Sequence, residues 1–400
     1  MTDISGQKNT AIISGIFKYY IIVFLAAGLL YTVSCAPTIL WQDSGLFVYR
    51  ILHNDIEGKL GIALSHPLYI LVGMAVKYIP LGELAYRVNL ISAAAGALAI
   101  ANLFLLVYLC IGKILPALIS AISLGLSWTF WQHTAIAEAY TLCAAQTFTE
   151  LIVLILFIRT RQNRYLYLLG LLNGLTIANH LWGVFGFLCY TIFLAILLVR
   201  KQIKVKQFLL IVLLWILGAS PYEYLVIKNI VLTGDIVGTI NSALFGTMWH
   251  NTVLNVSVTP KIILENIIFI LLNFPTPNLV LFFAGLWAVY KKCQSRAMAN
   301  ILTAMLILHF VFAFRYTVPD RYAFFLPFYC LTAIFIGFGA DLFFERFKNK
   351  TFIYLVIIFS LLPLPTCFFA PAVGKKLSPP LAQRRQRPYR DEYVYFLQPW

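Results

Sequence analysis

Apolar runs dominate this chain from residue 11 to residue 370, and each is bounded by a short polar or basic stretch. Runs near the roughly 20 residues that cover a bilayer predict membrane-crossing helices. The pattern predicts crossings at about 11–33, 88–111, 115–131, 136–158, 165–180, 182–199, 207–220, 263–290, 297–314, 323–344 and 351–370. The run 263–290 is broken at Pro275-Thr276-Pro277. The apolar piece 67–81 is too short to cross and is bracketed by Pro67 and Pro80-Leu81-Gly82, so it predicts a re-entrant or surface-lying helix. The expected fold is therefore all-α: a polytopic bundle of about eleven transmembrane helices, with juxtamembrane helices in the first outer loop.

Basic clusters orient the bundle. Arg159/Arg161/Arg164, Arg200/Lys201/Lys204/Lys206, Lys291/Lys292/Arg296 and Arg346/Lys348/Lys350 punctuate the runs. By the positive-inside rule they face the cytoplasm, as do Lys8 and Lys18. Residues 1–370 then form one membrane domain. Residues 34–87 and 221–262 are its outer loops, and 371–400 is a short basic outer tail. The tail's arginines and lysines run against the rule and suit anionic headgroups instead.

Composition agrees. The chain has 400 residues, of which 61% are hydrophobic and only 11% charged. The net charge of +15 is spent on topology signals, so no nucleic-acid partner is expected. The seven cysteines are scattered without a CxxC pair, and neither a disulfide framework nor a thiolate metal site is indicated.

This topology puts the polar motifs on one face. They are Asp43 in Trp41-Gln42-Asp43-Ser44-Gly45, His66-Pro67, Arg87 with Asn89, Trp131-Gln132-His133 with Glu138 and Tyr140, Asn179-His180, Tyr222-Glu223, and Asp320-Arg321. Interfacial ionisable groups are costly and mark function. Asp43 is either a general base for a hydroxyl or the N-cap of a helix starting at Ser44. His66 either caps the helix opened by Pro67 or binds a ligand. Glu138 serves a helix terminus or a ligand. Asp320 and Arg321 form either a local salt bridge or an acid–base pair. Arg87 has the geometry for bidentate phosphate recognition. A divalent metal is left open, with Asp43 and Glu138 as candidate ligands. No HExxH or DxD spacing is present.

Taken together, Trp41-x-Asp43-Ser44-Gly45, Ser65-His66-Pro67-Leu68-Tyr69, Arg87-Val88-Asn89-Leu90, Trp128-Thr129-Phe130-Trp131 with Ala135-x-Ala137-Glu138-Ala139-Tyr140, and Asn179-His180 are a familiar set. The chain resembles a bacterial family of polytopic proteins whose animal relatives are transmembrane protein O-mannosyltransferases. More widely it resembles the GT-C superfamily of lipid-linked-sugar glycosyltransferases. The resemblance covers about residues 11–200. It implies a GT-C fold, an inverting transfer from a polyprenyl-phosphate-sugar donor, and a catalytic aspartate in the first outer loop, here Asp43. The hexose is expected to be mannose, and the acceptor a hydroxyl of a protein or glycan at the extracytoplasmic face. Arg87, His180 and Arg321 are then expected at the donor phosphate. His66, His133, Glu138, Tyr140, Asn179 and Asp320 are expected at the sugar or acceptor. Leu46 and Leu68 depart from the family's usual residues. The alternative class is a multi-span transporter or flippase, which would place ionisable groups near mid-span rather than at span ends.

Overall fold

The computed structural model describes residues 4–40, 43–318, 320–367, 369 and 372, so the basic tail lies outside the described residues. Helices α1 (Ile4–Val33), α4 (Leu84–Ile111), α7 (Tyr140–Thr160), α10 (Val205–Thr233), α15 (Arg296–Arg315), α16 (Leu326–Arg346) and α17 (Lys350–Leu361) each belong to a segment long and apolar enough to cross a membrane. Helices α5 (Ile114–Gly125) and α6 (Trp128–Thr134) are long and apolar enough only together, as a pair bent by 70° at Leu126-Ser127. Helices α8 (Arg164–Asn179), α9 (Gly183–Val199), α13 (Pro260–Asn273) and α14 (Leu279–Lys292) are shorter, so the described residues hold seven helices long and apolar enough to cross, or eight with the bent pair. At about 1.5 Å per residue, α8 and α9 span only about 24–26 Å each. Among the described residues there is no strand.

Burial ranks the helices. In α16, 89% of the apolar stretch is buried within the protein, and in α4 and α7 67%. In α1 the share is 11%, and in α10 and α17 it is 22%. The centre is therefore α4, α7 and α16, and the lipid-facing rim includes α1, α10 and α17. Lipid gives no hydrophobic drive between helices, so close approach depends on small residues. Two helix pairs use them reciprocally. A Cβ on Gly174 of α8 would stand 2.2 Å from the Trp215 carbonyl oxygen, and one on Gly218 of α10 2.2 Å from that of Leu171. Gly285 of α14 and Gly339 of α16 stand in the same relation, each Cβ falling 1.9 Å from the facing carbonyl oxygen.

The first loop holds α2 (Ser44–Leu52), a 3₁₀ turn at Ile62–Leu64 and α3 (Pro67–Val76). At ten residues α3 is too short to cross, and it packs on α2, α8 and α4. The second loop is shorter than expected. Helix α10 does not stop near residue 220 but runs through Pro221 to Thr233. Pro221 leaves the Leu217 carbonyl without its amide partner. The Ser220 hydroxyl donates to that oxygen at 2.8 Å, which is why the helix continues. Two short helices, α11 (Ile236–Phe245) and α12 (His250–Val253), then fold back on the first loop. The Thr247 amide donates to the Leu60 carbonyl at 3.1 Å, and Lys228 pairs with Glu57 at 2.8 Å.

The two ends of the bundle differ. One carries the basic clusters, and there Lys113 meets Asp341 at 2.6 Å and Glu345 at 2.7 Å, tying the start of α5 to the end of α16. The other carries both loops and the polar motifs.

Candidate active site

At the loop end a cavity of about 360 Å³ is bounded by the first loop, the α8–α9 hairpin, the α11–α12 segment and the segment joining α15 to α16. Asp43, His66, Tyr140, His180 and Asp320 line it. They lie up to 277 positions apart in sequence, so only the fold brings them together.

Asp43 immediately precedes α2, yet its carboxylate makes no capping hydrogen bond. It is partly buried and faces the cavity instead. Burial and the neighbouring Asp320 raise its pKa to about 6, against the pull of the Arg50 guanidinium. Asp320 is raised by burial too. Glu138 is 2% exposed, and its carboxylate accepts the Asp43 backbone N–H. Burial, then Asp43 and Asp320, push its pKa well above the usual carboxylate range. Three carboxyl groups thus share one neighbourhood, and burial with like charge disfavours ionisation most at Glu138, the deepest of them.

His66 precedes Pro67 at the head of α3 with φ +45°, and it too makes no side-chain cap. Its Nδ1 donates to the Asn179 carbonyl at 2.8 Å, which leaves Nε2 as an acceptor. His180 has the complementary arrangement. Its Nδ1 accepts the Trp182 amide at 3.1 Å, which leaves Nε2–H as a donor. The two rings stack at 4.8 Å. Burial drives the His66 pKa down to about 4 and that of His180 well below its ordinary value, so both are neutral at pH 7. Asn179 holds the pair from behind, its amide donating to the Ala139 carbonyl at 3.0 Å.

An aromatic wall completes the cavity. Tyr140 stacks on Trp182 at 4.8 Å and meets the His180 ring at 5.4 Å, while Phe324 packs edge-on against Trp182 at 5.8 Å and meets Tyr316 at 4.4 Å. His133, on the bent helix α6, lies behind this wall against Tyr140 at 5.1 Å. Its Nδ1 bonds the Thr129 carbonyl at 2.7 Å, and it does not line the cavity.

Two arginines expected at a phosphate are engaged elsewhere. Arg87 donates to the carbonyls of Lys77 and Ile79, at 2.6 and 2.5 Å, and so closes the turn between α3 and α4. Arg321 does not pair with Asp320. It is buried against Glu265 at 2.6 Å and Asn266 at 2.7 Å, on the face of Phe269. The cation beneath the cavity is Arg50, 1% exposed, which donates to the carbonyls of Ser65 (2.7 Å), Ile56 (2.9 Å) and Asp55 (3.2 Å). Gly58, at φ +73°, leaves it room, since a Cβ there would stand 3.1 Å from the guanidinium. An arginine inside the otherwise apolar segment Ser44–Leu52 was the sequence signal for this role. Among the described residues, no three His, Cys, Asp or Glu side chains gather closely enough to hold a metal ion.

The helical bundle is similar in fold to solved membrane glycosyltransferases of the GT-C type. ArnT from Cupriavidus metallidurans bound to undecaprenyl phosphate superimposes with a TM-score of 0.65 at 16% identity, covering 94% of this chain and 68% of ArnT. The oligosaccharyltransferase of Archaeoglobus fulgidus gives 0.55 at 14% identity, covering 95% of this chain and 54% of that one. Residues 59–206 match the family of the protein O-mannosyl-transferase TMEM260 N-terminal domain. The mouse protein O-mannosyl-transferase TMEM260 is 25% identical over 230 residues, 54% of this chain and 31% of the mouse protein. This chain thus matches about a third of the length of that curated relative. Both parts of the resemblance read from the sequence, the GT-C fold and the likeness to transmembrane O-mannosyltransferases, are borne out.

Proposed function

We propose that the chain is an inverting glycosyltransferase that moves a hexose, mannose by its likeness to TMEM260, from a polyprenyl-phosphate donor to an acceptor hydroxyl. The observation that carries this reading is Asp43, uncapped, facing a cavity at the end of a GT-C fold with a pKa of about 6. At pH 7 it is ionised and accepts the acceptor's proton while the acceptor oxygen attacks the anomeric carbon. The bond from that carbon to the phosphate breaks on the opposite face, and polyprenyl phosphate departs. The Nε2–H of His180 donates to the departing phosphate, whose charge grows in the transition state. His66, through its free Nε2, and Asp320 orient sugar or acceptor hydroxyls. Tyr140 and Trp182 offer the flat apolar face that a sugar ring or an isoprenoid packs against. Glu138 and Asn179 act from behind the cavity, Glu138 by holding the Asp43 backbone and Asn179 by holding His66. The ArnT structure bound to undecaprenyl phosphate supports a polyprenyl lipid, and the name of the mouse relative supports a protein acceptor. The positive-inside arrangement of the basic clusters supports an extracytoplasmic site.

The test is transfer of radiolabelled sugar from polyprenyl-phosphate-mannose in membranes carrying Asp43→Asn. General-base removal predicts a loss of about 10²–10⁴-fold. Burial raises the Asp43 pKa, so its charge is a cost to the folded state that is present above pH 6 and relieved as the pH falls through it. The variant is therefore expected to keep or raise its Tm at pH 7.5. Transfer near the wild-type rate would remove Asp43 from the chemistry.

A further inference from the structure

At the basic end of the bundle, opposite the active-site cavity, a second cavity of about 450 Å³ opens between the ends of α7 and α9 and the start of α15. Arg161, Arg200 and Arg296 line it together with Ser295 and Asn300, and no acidic side chain does. Other basic residues at this end have partners: Lys113 and Lys292 bind Asp341 and Glu345, and Arg159 bonds the Leu109 carbonyl. Among the described residues, the guanidinium groups of Arg161, Arg200 and Arg296 have no ion pair or hydrogen bond; those of Arg161 and Arg296 rest on the rings of Phe157 and Tyr290. Three guanidiniums around one cavity create a strong positive field that no carboxylate among the described residues pairs with. The first turn of α15 adds to it, because Ser295 makes no side-chain cap and leaves that turn's amides free to bind an anion. The rest of the lining is apolar, from Ile192, Phe193, Ile196 and Ile301. Charge lies at one rim and hydrocarbon-compatible wall beside it, which is the polarity of an amphiphile and not of a free ion.

We infer that this cavity is a binding site for the phosphate headgroup of an anionic diacyl phospholipid, with Arg161, Arg200 and Arg296 on the phosphate and the α9–α15 wall against the acyl chains. Basic pockets between transmembrane helices recognise headgroups in this way. The site lies at the far end of the bundle from Asp43, so the inference is independent of the proposed reaction.

The purified full chain in phosphatidylcholine nanodiscs is titrated with phosphatidylglycerol, and binding is read by the shift in Tm and by native mass spectrometry. Retention of phosphatidylglycerol and a rise in Tm are expected. Each of Arg161→Gln, Arg200→Gln and Arg296→Gln weakens binding about five-fold, and the triple variant about a hundred-fold. The triple variant in phosphatidylcholine keeps the Tm of the parent chain, which separates lost binding from lost folding. Equal retention of both lipids, or full retention by a folded triple variant, overturns the assignment. A Tm rise reproduced by inorganic phosphate alone overturns the role of the apolar wall, and stronger binding of undecaprenyl phosphate overturns the diacyl lipid.

Discussion

Asp43 and Glu138 belong to one electrostatic unit and differ in what burial leaves them able to do. Glu138 sits deeper and meets two other acids, which push its pKa well above the usual carboxylate range, whereas Asp43 has the Arg50 guanidinium nearby and a pKa of about 6. If Asp43 is the base, kcat/KM rises about ten-fold per pH unit below about 6 and is level above it. Burial lowers His66 to about 4 and His180 well below its ordinary value, so neither is expected to add a limb near neutral pH. Sugar transfer measured from pH 4.5 to 8.5 checks this, and a profile flat through pH 6 contradicts it. At this scale the acids and imidazoles were legible because each carried an apolar context that made its polarity conspicuous. Side-chain direction was not legible. Spacing could not separate a capping Asp43 from a free one, nor reveal that Arg87 and Arg321 turn to nearby carbonyls, Asn266 and Glu265. Those choices depend on which acceptors the folded backbone presents.

Between helices, the structure depends on close backbone approach. Helix α8 carries Asn179 and leads into His180, so its seat on α10 sets where the paired imidazoles stand. That seat is the Gly174–Gly218 contact, where either Cβ would meet a carbonyl oxygen at 2.2 Å. Gly174→Leu must push the helices apart, while the loop-end carboxylates lie on other elements. The expected result is a Tm lowered by several degrees and transfer reduced more than ten-fold, measured on purified protein. A variant with unchanged Tm and activity would show that the two helices adjust freely. Apolar runs forecast these helices well, because length and hydropathy set where a span starts and ends. They could not forecast that α10 passes through Pro221, since the outcome rests on one hydroxyl, that of Ser220, finding the freed Leu217 carbonyl. The 70° bend at Leu126-Ser127 was hidden for a similar reason: apolar composition continues across it.

For the molecule as a whole, the division between a basic end and a catalytic end is itself a claim about the membrane. The arginine and lysine clusters lie at one end of the bundle, and by the positive-inside rule they set its orientation. On that orientation the proposed site at the other end would face away from the cytoplasm. The exposed Asn251, on the loop covering the active-site cavity, and the exposed Lys201, beyond the end of α9, report the two faces. With the seven native cysteines replaced, Asn251→Cys is expected to react with a membrane-impermeant maleimide in intact cells, and Lys201→Cys only after permeabilisation. The reverse pattern would turn the whole bundle over and put Asp43 on the cytoplasmic side, where the proposed extracytoplasmic acceptor could not reach it. Labelling of both positions from one side would mean that the number of crossings between them is even. Helix α10 is the long apolar helix between the two positions, so that outcome would mean either that α10 does not cross the membrane or that a second segment of 202–250 does.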